Sequence, residues 1–222
     1  MQIPIIDLKE SLLSDNDSDA DKLRVELRAQ KTFYLNVMSS PGSGKTSCIL
    51  RTLEQLGKTF RCGVMEADID SAVDARKILA AGFAAVQLHT GGMCHLDAEM
   101  SRQGLRAVGA AQLDAVILEN VGNLVCPAEF DTGACENVVI LSVPEGDDKP
   151  LKYPLMFETC GAVLINKTDA LPAFDFDLAR VKSYIAQRNP SAAVFPVSAA
   201  TGEGFDAWCG WLAQKIRAWQ EG

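Results

Sequence analysis

Residues 39–47 read SSPGSGKTS, from Ser39 to Ser47. The stretch ends an apolar run, FYLNVMS at 33–39, and opens a segment of helical composition at 45–57. Strand, glycine-rich loop and helix in that order are the context a phosphate-binding loop requires. The match to GxxxxGK[ST] has one departure, Ser39 in place of the first glycine. Gly42 and Gly44 let the backbone curl so that successive N–H groups face inward. They do so at a helix N-terminus, where the dipole also favours anions. Lys45 is placed to reach the β- and γ-phosphates, and the Thr46 hydroxyl to ligate Mg²⁺. Ser43 and Ser47 complete the phosphate-contacting stretch. A glycine-rich turn that binds nothing would leave Lys-Thr at these offsets without a purpose.

Outward from the loop, short apolar runs alternate with helical segments. The expected strands are 33–39, 61–67, 84–90, 113–121, 137–143, 161–167 and 192–198, and the expected helices 45–57, 72–81, 96–111, 177–188 and 204–219. Several strands are apolar nearly throughout, as strands covered on both faces are. The pattern predicts an α/β fold: a doubly wound, mostly parallel P-loop G domain with helices on both faces. In the last helix Phe205, Trp208, Leu212, Ile216 and Trp219 recur at helical spacing and form one buried stripe. Residues 33–222 are assigned to this domain and 1–32 to an N-terminal arm and helix. Within the arm, SLLSDNDSDAD at 11–21 reads as flexible or as a helix cap region, and 20–30 as helical.

The net charge of −8 disfavours nucleic acid or an anionic membrane as a partner. The seven cysteines are irregularly spaced and form no CxxC, which suits reduced thiols rather than a disulfide framework. The opening MQIPIIDLKESLL has no basic region followed by an apolar core, and no apolar run reaches membrane length. A cytoplasmic location is expected.

NKTD, Asn166 to Asp169, ends a later strand, and SAATGEG, Ser198 to Gly204, ends the next. The Asp169 carboxylate only accepts hydrogen bonds. Guanine offers it two N–H donors on one edge, where adenine would set an acceptor against it. Lys167 can lay its alkyl stem over the base, Asn166 can brace the two loops, and a backbone N–H near Ala199 can donate to guanine O6. Ser198 opens that loop. Following a P-loop in this order, the two motifs point to GTP and GDP.

Taken together, SSPGSGKTS, EADIDSAVDARKI, HTGGMCHLDA, LENVGNLVCPAEFDTG, SVPEGDDKPLKYP and NKTD closely resemble the HypB family, GTPases that assist nickel insertion into [NiFe]-hydrogenases. The urease nickel GTPases are the nearest relatives, with Cys-Pro-His in place of adjacent Cys-His. The resemblance implies a GTPase that dimerises with GTP, and the lack of an evident arginine finger in the sequence predicts slow intrinsic turnover. The resemblance also implies Ni²⁺ or Zn²⁺ held between subunits by Cys94, His95 and Cys126, with HypA and the hydrogenase large subunit as partners. The N-terminal cysteine motif and the histidine-rich stretch of some members are absent from the sequence, so no separate high-affinity or storage site is expected.

The residues support the same placement on their own. Cys94-His95 follows one expected strand and Cys126 another, and a parallel sheet gathers the C-terminal ends of its strands on one rim. Two thiols and an imidazole suit Zn²⁺, Ni²⁺ or Cu, and three protein ligands leave a coordination position open. A helix opening near His95 would favour the Cys94 thiolate. A structural pair or a nucleophile–base dyad are the alternatives. Cys48, Cys62, Cys160 and Cys209 read as small core hydrophobes, His89 as a rim histidine, and Cys135 carries no assignment. Glu119 to Asn123, ENVGN, takes the place of a nucleotide-sensing switch, and Asp68 and Asp70 that of another. Asp68 and Glu119 are expected around Mg²⁺ and the attacking water. Gly122 would permit movement, and Lys149 and Lys152 could act across a dimer. Only Leu124 and Val125 separate Asn123 from Cys126, so nucleotide and metal could be coupled directly.

Overall fold

A computed structural model of the chain describes residues 8–68 and 73–222, and of residues 8–12 the backbone alone. Asp70 lies outside the described residues. Seven strands form one parallel sheet: β1 Phe33–Ser39, β2 Cys62–Asp68, β3 Ala84–His89, β4 Ala115–Gly122, β5 Glu136–Ser142, β6 Ala162–Asn166 and β7 Ala193–Pro196. Their order across the sheet is β3-β2-β4-β1-β5-β6-β7. Each strand expected from the sequence is present, within two residues at its ends.

The pleat explains why these strands are apolar on both faces. Phe33, Leu35 and Val37 of β1 point to one layer, while Tyr34 and Met38 point to the other. The first layer is covered by α2 (Lys45–Leu56), α3 (Val73–Ala80) and α9 (Phe205–Glu221). The other is covered by α1 (Leu8–Gln30) and α4 (Ala98–Val108) at one end of the sheet and, at the other end, by α7 (Pro154–Glu158) and α8 (Leu178–Arg188). Phe205, Trp208, Leu212 and Ile216 are buried on α9 as their spacing predicts, and Trp219 is partly buried. Two short helices, α5 (Cys126–Glu129) and α6 (Lys149–Lys152), fill turns whose apolar pattern is too brief to announce them.

The acidic stretch at 11–21 departs from its reading as a flexible arm: it is part of the continuous helix α1. Long-range contacts hold it there. Asn16 donates from Nδ2 to the Asp131 carbonyl at 2.9 Å and accepts the Ala98 N–H at 2.9 Å. Arg24 donates to both Asp131 oxygens at 2.6 and 2.7 Å. Arg28 lies 3.5 Å above the Trp219 ring. Leu23 and Leu27 join the same core as Tyr34 and Leu118. Among the described residues no helix is long and apolar enough to cross a membrane.

Beneath the loop after β1 runs a polar chain that the strand pattern does not announce. Asn120 donates to Asn36 at 3.0 Å, and Asn36 donates to Asn137 at 2.9 Å, which links β4, β1 and β5. The β1–β4 register shifts between Val37 and Ser39, just as the chain leaves for the phosphate loop. A bulge of this kind re-aims the strand end.

Leu27 is 1% exposed and Val25 70%. Leu27→Ala is expected to cost about 2–5 kcal/mol in chemical denaturation, while Val25→Ala stays within about 0.5 kcal/mol of the parent. Equal effects would show that α1 contributes nothing to the core.

Candidate functional site

The loop 40–44 turns directly into α2. Gly42 and Gly44 take φ of +77° and +94°, the left-handed region that glycine adopts without strain. A Cβ on Gly44 would also stand 2.6 Å from Asn166 Nδ2. The departure at Ser39 has a local use: its Oγ accepts from Ser43 Oγ at 2.7 Å and from Lys45 Nζ at 3.2 Å. Ser43 is buried and Ser47 is exposed on the first turn of α2. Ser40 donates to Glu145, and Glu145 Oε2 accepts the Ser142 N–H at 2.7 Å and hydroxyl at 2.6 Å. This ties the loop to the end of β5.

A cavity of about 500 Å³ opens beside the loop, lined by Gly42, Gly44, Lys45, Thr46, Asp68, Asp74, Lys77, Gln87, Glu119 and Gly122 among others. Its volume suits a nucleotide's phosphates. Thr46 Oγ1 donates to Glu119 Oε1 at 3.0 Å, so hydroxyl and carboxylate meet where a phosphate-bound cation would sit. Asp68, the last residue of β2, is exposed at the rim. Glu119 lies within β4. Gly122 packs closely on the loop, since a Cβ there would stand 3.1 Å from Pro41.

Sequence reasoning missed Glu66. It is 3% exposed and stands opposite Glu119 in the register of β2 and β4. Burial, reinforced by the neighbouring Glu119 charge, pushes the Glu66 carboxyl up to about 10. Burial also raises Glu119, against the pull of its neighbours Glu66, Lys45 and Thr46. The signal was legible in GVMEA, where a lone glutamate interrupts a buried strand.

The NKTD and SAA loops meet the phosphate loop as a braced unit. Asn166 donates from Nδ2 to the Ser43 carbonyl at 2.9 Å and accepts the Ala199 N–H at 3.1 Å. Of the backbone N–H groups near Ala199, that of Ala199 itself is engaged by Asn166. Lys167 takes a φ of +62° and donates to the Gly42 carbonyl at 2.7 Å. Asp169 Oδ1 accepts from Ser198 Oγ at 2.5 Å. Arg51 holds the second loop through the Ala199 and Ala200 carbonyls at 3.0 and 3.3 Å.

On the same rim, Cys94 Sγ and Cys126 Sγ are 2.9 Å apart, and His95 Nδ1 is 3.9 Å from Cys94 Sγ. The His95 ring stacks on Phe130 at 3.7 Å between centroids. Burial pulls the imidazole below its usual range despite Asp97 and Glu129, which favours the neutral form that binds metals. The hydrogen bond with Cys94, more than burial, raises the Cys126 thiol. The helix expected over 96–111, opening near His95, begins slightly later: α4 starts at Ala98, and its cap is Asp97, which accepts the Met100 N–H. The dipole therefore acts on Asp97 rather than on Cys94. Among the described residues no three His, Cys, Asp or Glu side chains of the one chain converge as a metal-binding set.

The remaining cysteines behave as read. Cys48, Cys62, Cys160 and Cys209 are buried, with thiols pushed up to about 12 by burial. Cys135, unassigned from sequence, accepts the Tyr34 N–H at 3.2 Å. His89 is exposed on the rim. Lys152 pairs with Asp148 at 2.5 Å, and Lys149 Nζ lies 5.8 Å from the Tyr153 ring centroid.

The raised Glu66 pKa has a consequence for stability. Between the ordinary value of 4.5 and about 10, the folded protein keeps a proton that the unfolded chain has lost. Stability therefore falls as pH rises through that window. Glu66→Gln is expected to raise the melting temperature in EDTA, with a gain that grows from about pH 5 to pH 8. A gain independent of pH would contradict this.

Known proteins resemble the chain in both sequence and shape. Residues 33–196 match the family model of the CobW/HypB/UreG nucleotide-binding domain. The hydrogenase maturation factor HypB of Azotobacter vinelandii is 44% identical over 214 residues, covering 96% of this chain and 71% of that protein. The crystal structure of HypB from Helicobacter pylori in complex with nickel superposes with a TM-score of 0.86 at 38% identity, over 92% of this chain and 96% of that one. HypB from Archaeoglobus fulgidus gives 0.85 at 36% identity, over 92% of this chain and all (100%) of that one. A parallel-sheet P-loop fold, a nucleotide-binding match over most of its length and this likeness together identify the chain: it belongs to the HypB hydrogenase maturation factors of the CobW/HypB/UreG family.

Proposed function

We propose that the chain hydrolyses GTP slowly to GDP and phosphate, and couples that cycle to the passage of nickel toward [NiFe]-hydrogenase in the cytoplasm. The observation that carries the coupling is the position of the thiol pair. Cys126 stands four residues beyond Gly122, which lines the phosphate cavity, and its sulfur is 2.9 Å from that of Cys94.

In this reading Gly42, Ser43, Gly44, Lys45, Thr46 and Ser47 bind the phosphates. Asn166, Lys167, Asp169, Ser198 and Ala199 form the guanine site, with the Asp169 oxygen not held by Ser198 turned to the base. Thr46, Asp68 and Glu119 would hold Mg²⁺, which supplies neutralising charge to the phosphates. The donor set is all oxygen, as Mg²⁺ prefers, and Glu119 Oε2 is buried without a partner among the described residues. Glu119 also orients the attacking water.

Cys94, His95 and Cys126 take nickel as cargo, or Zn²⁺ in its place. One chain offers an unclosed set, and a two-fold homodimer would supply the same loops twice. Met93 and Val125, each next to a ligand in sequence, are 41% and 52% exposed. Leu155, on α7 beside α5, is 43% exposed, which suits a covered face. Lys149 is available to act across that dimer. HypA and the hydrogenase large subunit are the proposed partners.

Asp169→Ala is expected to weaken GTP binding about 10- to 100-fold and to leave ATP binding unchanged, since one charge-assisted pair contributes about 1.5–3 kcal/mol. Equal affinity for GTP before and after the change removes the guanine assignment.

Metal analysis of wild type, Cys94→Ala and Cys126→Ala tests the thiol site. The variants are expected to stay folded, to hydrolyse GTP and to lose nickel. Loss of folding would indicate structural zinc, and wild type that retains zinc while refusing nickel would favour a metal-regulated switch without transfer.

A further inference from the structure

The cavity beside the phosphate loop has an inner wall that phosphate binding does not by itself explain. Gln87, Glu66 and Glu119 stand opposite one another on the adjacent strands β3, β2 and β4. Parallel register places three polar side chains in one row, on strands about 4.8 Å apart. All three line the cavity. Glu66 and Glu119 are 3% and 6% exposed. Glu66 Oε1, Glu119 Oε2 and both polar atoms of the Gln87 amide have no hydrogen-bond partner among the described residues. Buried polar atoms are rarely left so, and a cluster of them facing one cavity marks a place built for something charged or wet.

Glu119 is held by groups on two other elements. Its Oε1 accepts from Thr46 on α2 at 3.0 Å, and the buried Glu66 carboxyl stands opposite it in the β2 register. A glutamate has several rotatable bonds and loses side-chain entropy when it is ordered. One hydrogen bond to a threonine, itself a candidate cation ligand, is weak restraint, because that hydroxyl must turn when a cation arrives. Glu66 stays behind Glu119 whatever Thr46 does. Ligand carboxylates are generally hydrogen-bonded in turn, and loss of such a partner weakens a metal about 10- to 100-fold.

We propose that Glu66 is a positioning residue for the nucleotide-bound cation: its carboxyl, hydrogen-bonded to Glu119, fixes the orientation in which Glu119 meets Mg²⁺ beside Thr46. Gln87 closes the row on the side away from Glu119. Glu66 acts through Glu119 and holds no phosphate. This rests on the reading of the cavity as a Mg²⁺·GTP site.

The test is a Mg²⁺ titration of the affinity for a fluorescent GTP analogue, with EDTA as the baseline, for wild type, Glu66→Ala and Glu66→Gln. All three are expected to bind the analogue equally in EDTA. The Mg²⁺ concentration that gives half-maximal tightening should rise about tenfold or more in Glu66→Ala. It should return to within about twofold of wild type in Glu66→Gln, whose amide N–H still donates to Glu119. Should the alanine variant unfold, Glu66→Leu fills the volume without the hydrogen bond and carries the same expectation.

An unchanged Mg²⁺ midpoint in Glu66→Ala overturns the inference, as does a glutamine variant shifted as far as alanine. A fall in EDTA affinity equal to the fall with Mg²⁺ would also overturn it, since the residue would then only support the fold. In each of these outcomes wild type still tightens with Mg²⁺. Wild type that binds no nucleotide removes the GTP reading and this inference with it.

Discussion

A parallel ladder has one direction, and that constraint arranges everything else in this molecule. Because the seven strands run the same way, each delivers its C-terminal end to one rim. The phosphate loop leaves from β1, the thiol-bearing loops from β3 and β4, and the NKTD and SAA loops from β6 and β7. No motif needs to be near another in sequence to be near it in space. Burial of both sheet faces under helices gives the direction its stability, and the near-continuous apolar character of the strands follows from that burial.

On that rim, side-chain amides do the joining. Asn166 connects the phosphate loop to the SAA loop, so a contact at either would be felt at the other. The Asn120–Asn36–Asn137 chain secures the strand ends beneath the loop. Ser39, which breaks the usual glycine pattern, supplies the hydroxyl that receives Ser43 and Lys45. Each of these buried polar groups has its hydrogen bonds met, which is the condition for polar groups to add rigidity rather than cost. Glu66, Gln87 and Glu119, which carry buried polar atoms without a partner among the described residues, fall together in the cavity.

The thiol pair lies at the edge of that framework rather than inside it. Cys94 and Cys126 come from different loops, and their sulfurs approach to 2.9 Å. His95 is diverted onto Phe130. The contrast with Cys48, Cys62, Cys160 and Cys209 is one of surroundings: four thiols are enclosed by apolar side chains, while these two are partly exposed beside each other. The short path from Gly122 through Asn123 to Cys126 gives strand β4 a hand in both regions.

The residues alone announced the strand and helix sequence, the phosphate loop, the guanine-type motif and the rim on which Cys94 and Cys126 meet. Period, glycine placement and strand-end position are local properties, written in consecutive residues. What sequence left open depends on partners far along the chain. The 11–21 stretch is helical because Asn16 and Arg24 find Asp131 more than a hundred residues away, and polar composition cannot signal that. Glu66 meets Glu119 only through the β2–β4 register. The Ala199 N–H is claimed by an asparagine on another loop. His95 stacks on Phe130, a residue of another loop that its own neighbours in sequence do not announce. A sequence lists which groups are available; their hydrogen bonds and charges are settled by which of them the sheet brings within about 3 Å of one another.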